Sequence, residues 1–199
     1  MIKLYGSRAT RAGRCVWMLE ELGVRYENVP ADVKSAAFRE LNPNGRVPLL
    51  DDDGLLVFES MAINLHLADK DQSGGLRPRD VAERAHALQW SFWGMTELEP
   101  GLIDAFVHRA MLPPAQRNPE VAAAGEAKLA RPLAVLDAKL ARRDWLVGDR
   151  FTVADLNVAS VLLVAAPAQV SLAAWPNVQR WLTACTGRPA ARRALSGEA

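Results

Sequence analysis

Cysteine is scarce in this chain. Of 199 residues only Cys15 and Cys185 carry a thiol, and they are far apart in sequence. No C-x-x-C pair exists, so a disulfide framework, a cysteine zinc site and a dithiol redox motif all lack support. An excess of charge of either sign is also absent. The formal net charge is +1, which offers no general electrostatic case for nucleic acid. Long hydrophobic runs are missing too. The most apolar stretch, Val158 to Ala166, is far too short to cross a bilayer and follows Asp155 and Asn157. No secretory leader is visible, because Met1-Ile2-Lys3-Leu4-Tyr5 leads directly to Gly6 and arginines. His66, His86 and His108 share no metal-ligand spacing. The expectation is a soluble, cytoplasmic protein with no metal, no nucleic acid and no membrane partner.

What is present is an ordinary globular composition, half hydrophobic and about a quarter charged. Ile2–Tyr5 reads as a strand. Ala12, Cys15, Val16, Leu19 and Leu22 share one helical face over 11–22, and Gly23 supplies the stop. Residues 24–29 alternate as a strand, and 35–41 form a short helix ended by Asn42-Pro43-Asn44-Gly45. Val47 to Leu50, a turn at 51–54 and Leu55 to Phe58 make a hairpin, and 60–68 make a helix. The order is βαβαββα over residues 1–76. The stretch 71–78, polar with two glycines and a proline, reads as a linker. Segments 80–110, 120–142, 153–166 and 174–186 are all helical, so an α/β domain (1–76) precedes an all-α helical bundle domain (80–199). Thr152-Val153-Ala154-Asp155 fits a capping box that starts the helix at 153. Arg142-Arg143 and Arg192-Arg193 read as solvated surface.

One feature conflicts with its surroundings. Pro48 lies against Val47, Leu49 and Leu50, where a strand is expected, although proline has no N–H for a sheet ladder. Glu59-Ser60 follows at the start of a helix. Taken with Leu4-Tyr5-Gly6-Ser7, Asn42-Pro43-x-Gly45-x-Val47-Pro48-Leu49-Leu50, Glu59-Ser60-Met61-Ala62-Ile63, Val147-Gly148-Asp149-x-Phe151-Thr152-x-Ala154-Asp155 and Arg188-Pro189-Ala190, the chain resembles the cytosolic glutathione S-transferases. The resemblance covers essentially the whole chain, and its bacterial, serine/threonine-using branch fits best.

The resemblance implies a thioredoxin-like first domain with a cis Val47-Pro48 bond, leaving the backbone of Val47 to pair with bound glutathione in an edge-strand mode. It implies that Ser60, at a helix N-terminus suited to anions, donates to the γ-glutamyl carboxylate, and that Glu59 faces the ammonium. Lys34 and Arg46 match places where the family holds a cation near the glycyl carboxylate. Plain capping would suffice for Ser60, but its position just after the hairpin favours binding; solvated charge competes evenly for Lys34, and Arg46 is the better match. Glutathione is the expected cosubstrate, and a homodimer is implied.

The thiol needs activation. A free thiol has pKa about 8.5, and lowering it by about two units takes roughly 2.7 kcal/mol. One hydrogen bond to a charged acceptor supplies about 1.5–3 kcal/mol. A single hydroxyl near the first helix therefore suffices. Thr10 sits four residues before Arg14, the family's usual arginine, and takes the catalytic place by resemblance; Ser7 is the second candidate and Tyr5 the third. Cysteine-using relatives place their thiol where Thr10 stands. Here Cys15 comes five residues later on the buried face, which disfavours chemistry through a protein cysteine. A threonine branch that reduces disulfides or peroxides pairs it with an asparagine two residues on, where this chain has Ala12. Trp93 and Met111, on the helix 80–110, are candidates for the pocket of a small apolar electrophile, although aromatic residues at helical spacing more often belong to a core. The expected function is transfer of glutathione to that electrophile. The alternatives are a glutathione-dependent peroxidase or disulfide reductase, and a non-catalytic module of the same fold.

Overall fold

The computed structural model describes residues 1–196 and resolves into two compact units. The first begins with β1 (Ile2–Tyr5), α1 (Ala12–Leu22), β2 (Tyr26–Val29), α2 (Ala36–Leu41), β3 (Leu49–Asp52), β4 (Leu55–Phe58) and α3 (Ser60–Asp69). The sheet order is β2-β1-β3-β4. β1 pairs parallel with β2 and antiparallel with β3, and β4 closes a hairpin on β3. This is the thioredoxin-like arrangement expected from the βαβαββα order. The core is made by Leu4, Leu49 and Leu50 of the sheet with Val16, Trp17, Met18 and Leu19 of α1 and Ile63 and Leu67 of α3, all essentially fully buried. Gly23 ends α1 at φ +63°, a conformation that suits glycine. Ser35 caps α2 by accepting the Phe38 N–H. The strand expected from Val47 starts at Leu49 instead, because Pro48 and Val47 fall outside the ladder.

The second unit, Pro78–Thr186, is helical. It contains α4 (Val81–Trp93), α5 (Glu99–Phe106), α6 (Pro119–Lys128), α7 (Ala130–Leu140), α8 (Val153–Leu162) and α9 (Pro176–Thr186). The single helix expected over 80–110 is interrupted by wide π-helical turns at Gly94–Leu98 and Val107–Met111. Pro100 explains the first, since it brings no N–H to the ladder and its ring crowds the preceding turn. The helix expected over 120–142 breaks at Leu129, just before Pro132 in the first turn of α7. At Thr152 the capping box forms as expected: Asp155 accepts the Thr152 N–H at 3.0 Å, and Thr152 Oγ1 accepts the Ala154 N–H at 3.3 Å. Asp155 also accepts from the Leu146 N–H and Trp181 Nε1, tying α8 to α9.

A final helix, α10 (Pro189–Ser196), packs against α1 through Ala190, Ala191 and Ala194 and belongs to the first unit, whereas residues 80–199 were expected to form one helical domain. Arg193, expected to be solvated, pairs with Glu20 at 2.9 Å. Among the described residues no helix is long and apolar enough to cross a membrane.

Candidate functional site

The sheet register fixes where the candidate residues meet. Tyr5 faces Leu49, and Leu49 faces Phe58. The chain after Tyr5, the chain before Leu49 and the chain after Phe58 therefore leave the sheet at one end. These segments carry Ser7 and Thr10, Arg46 to Pro48, and Glu59 with Ser60.

Two glycines allow the close approach. Gly6 sits at φ +127°, and a Cβ there would lie 2.9 Å from the Cβ of both Ala12 and Val47. A Cβ on Gly13 would lie 2.3 Å from the Arg8 carbonyl oxygen, so the backbone of the hydroxyl loop rests directly on α1. The exit of β1 is further held by Asn28, whose Nδ2 donates to the carbonyls of Leu4 and Gly6 at 2.9 and 2.7 Å.

Val47-Pro48 is cis, as the resemblance implied. The preceding turn is shaped by buried Asn42. Its Nδ2 donates to the Arg46 carbonyl at 2.7 Å and its Oδ1 accepts the Asn44 N–H at 3.2 Å. Arg46 is exposed, as is Lys34. A Cβ on Gly45 would stand 3.0 Å from the Val33 carbonyl, so the loop carrying Lys34 lies against the turn that leads to Arg46.

Glu59 precedes α3 with φ +71° and ψ +116°, and its side chain makes no capping bond. Ser60 is 2% exposed, and its Oγ lies 3.5 Å from Nη1 of buried Arg14. The Cys15 thiol approaches the Ser60 carbonyl at 3.8 Å, and burial pushes that thiol far up from its ordinary range despite Arg14 beside it. Cys15 is therefore a buried thiol held in its protonated form by its surroundings.

The two hydroxyls differ. Thr10 Oγ1 donates to the Ser7 carbonyl at 2.7 Å and accepts the Ala12 N–H at 3.2 Å, the position of a helix-start residue. Ser7 Oγ accepts the Ala9 N–H at 3.2 Å, which leaves its proton for another acceptor. Tyr5 packs on Phe38, with ring centroids 6.1 Å apart.

In the second unit, Trp93 stands edge-on to Trp90 at 5.0 Å. The two tryptophans line a cavity of about 410 Å³ with Gln89, Glu97, Arg131, Pro132 and Val135. Met111 is 58% exposed at the end of the second π-helical turn and does not line that cavity.

Sequence reasoning passed over Asn28, Asn42, Gly6, Gly13 and the Arg14–Ser60 contact. The Asn-Pro-x-Gly turn carried a signal for Asn42. The others depend on approaches between distant segments.

Two family models match the chain. Residues 1–69 match "Glutathione S-transferase, N-terminal domain", and residues 99–189 match "Glutathione S-transferase, C-terminal domain". Glutathione S-transferase GstB of Escherichia coli strain K12 is 32% identical over 203 residues, covering 98% of each chain. The disulfide-bond oxidoreductase YfcG of the same organism is 31% identical, covering 98% of this chain and 94% of its own. The crystal structure of a theta class glutathione S-transferase from Xanthomonas axonopodis pv. citri with glutathione bound superposes with a TM-score of 0.90 at 30% identity, covering 97% and 96% of the two chains. With the fold, the three converging segments and these relatives in agreement, the chain belongs to the glutathione S-transferase family.

Proposed function

We propose that the protein is a glutathione transferase of the bacterial, serine/threonine-using type, joining the glutathione sulfur to a small apolar electrophile. The observation that carries the reading is the convergence of the hydroxyl loop, the Arg46–Pro48 segment and the start of α3 at one end of the sheet. A peptide laid along that end meets the backbone of Val47 as an added strand. Its γ-glutamyl carboxylate meets Ser60 and the unpaired N–H groups of α3, with the Arg14 guanidinium behind the hydroxyl. Glu59 answers the ammonium, and Arg46 with Lys34 answers the glycyl carboxylate.

The thiolate takes a hydrogen bond from the loop 7–10. Ser7 has its proton to give, whereas Thr10 must first release the Ser7 carbonyl. The protein only has to donate: the bound thiol loses its proton to water, the sulfur lone pair attacks the electrophile, and the leaving group departs with the electron pair. Trp93 and Met111 are the proposed apolar contacts for the electrophile. A cytoplasmic homodimer is the proposed form, supported by the exposed apolar residues Leu55, Leu56 and Phe58 of the edge strand β4.

The likeness to YfcG favours a second reading, glutathione-dependent disulfide or peroxide reduction. The test is retention on immobilised glutathione, followed by turnover with an activated aryl halide, a peroxide and a disulfide. Conjugation of the halide supports the first reading, and turnover of only the other two supports the second. Binding without any turnover leaves a non-catalytic module. In the variants, Ser7→Ala and Thr10→Ala separate the hydroxyls: the one that contacts the thiol loses about 10²-fold or more in kcat/KM at neutral pH.

A further inference from the structure

Away from the glutathione-binding segments, the charged side chains of the first unit gather where α1, β2 and α10 meet. Arg193 Nε donates to Glu20 Oε2 at 2.9 Å, and its Nη2 donates to the Glu20 carbonyl at 3.2 Å. The Tyr26 hydroxyl donates to Glu20 Oε1 at 3.3 Å. Burial pushes the Tyr26 phenol up, with Arg8 opposing and Glu20 reinforcing the rise, so it stays a neutral donor. Arg8, from the hydroxyl loop, sends Nη1 to the Arg193 carbonyl at 3.3 Å. Arg8, Arg193, Glu20 and Tyr26 thus form a continuous chain of contacts. A second clamp lies alongside: Arg188 Nε and Nη2 meet Glu21 Oε1 and Oε2 at 2.7 and 2.8 Å, and Trp17 Nε1 joins Glu21 Oε1 at 3.0 Å.

Such a chain adds little to stability where it is exposed, and Arg193 is half exposed. What it fixes is direction. The Arg193 carbonyl lies near the end of α10, where the Ser196 hydroxyl also reaches it at 3.4 Å. It is a natural acceptor for a guanidinium. Arg8 is therefore held at both ends, its carbonyl against Gly13 and its guanidinium against α10. Ser7 is its neighbour, and Thr10 follows two residues later.

We propose that Arg193 is a positioning residue for the reaction: through Arg8 it sets where the Ser7 and Thr10 hydroxyls stand relative to the glutathione sulfur. The inference rests on the transferase reading above. A hydrogen bond to a thiolate weakens steeply when its donor is misaligned, so loosening α10 raises the thiol pKa of bound glutathione and leaves the peptide's other contacts in place.

The experiment follows the thiolate absorbance of glutathione bound to the full chain as a function of pH, beside the pH profile of kcat/KM. Arg193→Ala is expected to raise the bound thiol pKa by about half a unit or more and to lower kcat/KM at neutral pH about three- to tenfold, with KM for glutathione changed less than about twofold. The deficit shrinks as pH nears the free thiol value of about 8.5. Arg193→Lys, which keeps the charge facing Glu20, restores part of the shift. Arg8→Met leaves the Arg193–Glu20 pair intact, so it decides the matter if Arg193→Ala does not fold; it is expected to reproduce the thiol shift with an unchanged melting temperature. Superposable pH profiles for wild type and the variants that fold, whatever the melting temperatures, overturn the inference while leaving the transferase reading standing. A wild-type complex whose glutathione thiol titrates as in water overturns both.

Discussion

Glu59 holds φ +71°, where only glycine is comfortable, and such a residue costs about 1–3 kcal/mol. Its proposed role is to face the ammonium of bound glutathione. Glu59→Gly is accordingly expected to melt at the same temperature or higher while KM for glutathione rises about tenfold, a trade measurable by calorimetry and steady-state kinetics. Gly13 presents the opposite case. Its added Cβ would meet a backbone oxygen 2.3 Å away, with no flexible side chain to yield. Gly13→Ala is expected to displace the 7–10 loop and lower kcat/KM by about 10²-fold or more, while glutathione retention on a column persists through Val47 and Ser60. The places of Ser7, Thr10 and Glu59-Ser60 in the fold were legible because they fall at strand and helix ends, where the sequence punctuates itself. Gly13 and Asn42 were not, because their work is done against Arg8 and Arg46, and no local pattern announces which distant atom a side chain will meet.

Among elements, the strands and the hairpin followed the alternation of apolar residues, and the helices followed their period. Boundaries moved wherever proline intervened. Pro48 pushed the start of β3 back to Leu49, Pro100 sits beside the first π-helical turn, and Pro132 sets the break between α6 and α7. Helices α5 and α6 approach so closely at Gly101 and Gly125 that a Cβ on Gly101 would lie 2.6 Å from the Gly125 carbonyl. Gly101→Ala is expected to destabilise the second unit by about 1–3 kcal/mol in chemical denaturation. The capping box of α8 carries a pH dependence. Burial pushes the Asp155 carboxyl up to about 6, against hydrogen bonds from Leu146, Trp181 and Thr152 that pull it down. Its folded value lies above the unfolded value of about 3.9, so charging it costs stability above pH 6, and that cost fades as pH falls from about 6 to 4. Asp155→Asn is expected to remove this slope and to lower the melting temperature at every pH, because an amide offers donors where donors already point.

At the scale of the whole molecule, the two units answer acid differently. Burial raises the Asp52 carboxyl of the first unit, but Lys70 and His66 outweigh it and hold it below its usual range. Its contribution is complete above about pH 4 and is lost as pH falls further. Between pH 7 and 5 the second unit is expected to gain stability while the Asp52 contribution to the first holds, and below pH 4 the first weakens. Hydrogen exchange read unit by unit across that range checks it. The two-unit plan was legible from the loss of strand signals after residue 80. The return of α10 to the first unit was not, because Ala190, Ala191 and Ala194 bury a face of small residues with no large apolar period to read. That return makes the first unit discontinuous in the chain, with a consequence for synthesis. Residues 1–77 leave the ribosome roughly a hundred residues before α10 does. At about 5–20 residues per second, α1 waits on the order of 5–20 s with one flank uncovered. A chain halted in that interval holds the whole sheet but not the helix that covers α1, so the apolar face that Ala190, Ala191 and Ala194 meet stays open to water until synthesis is nearly complete.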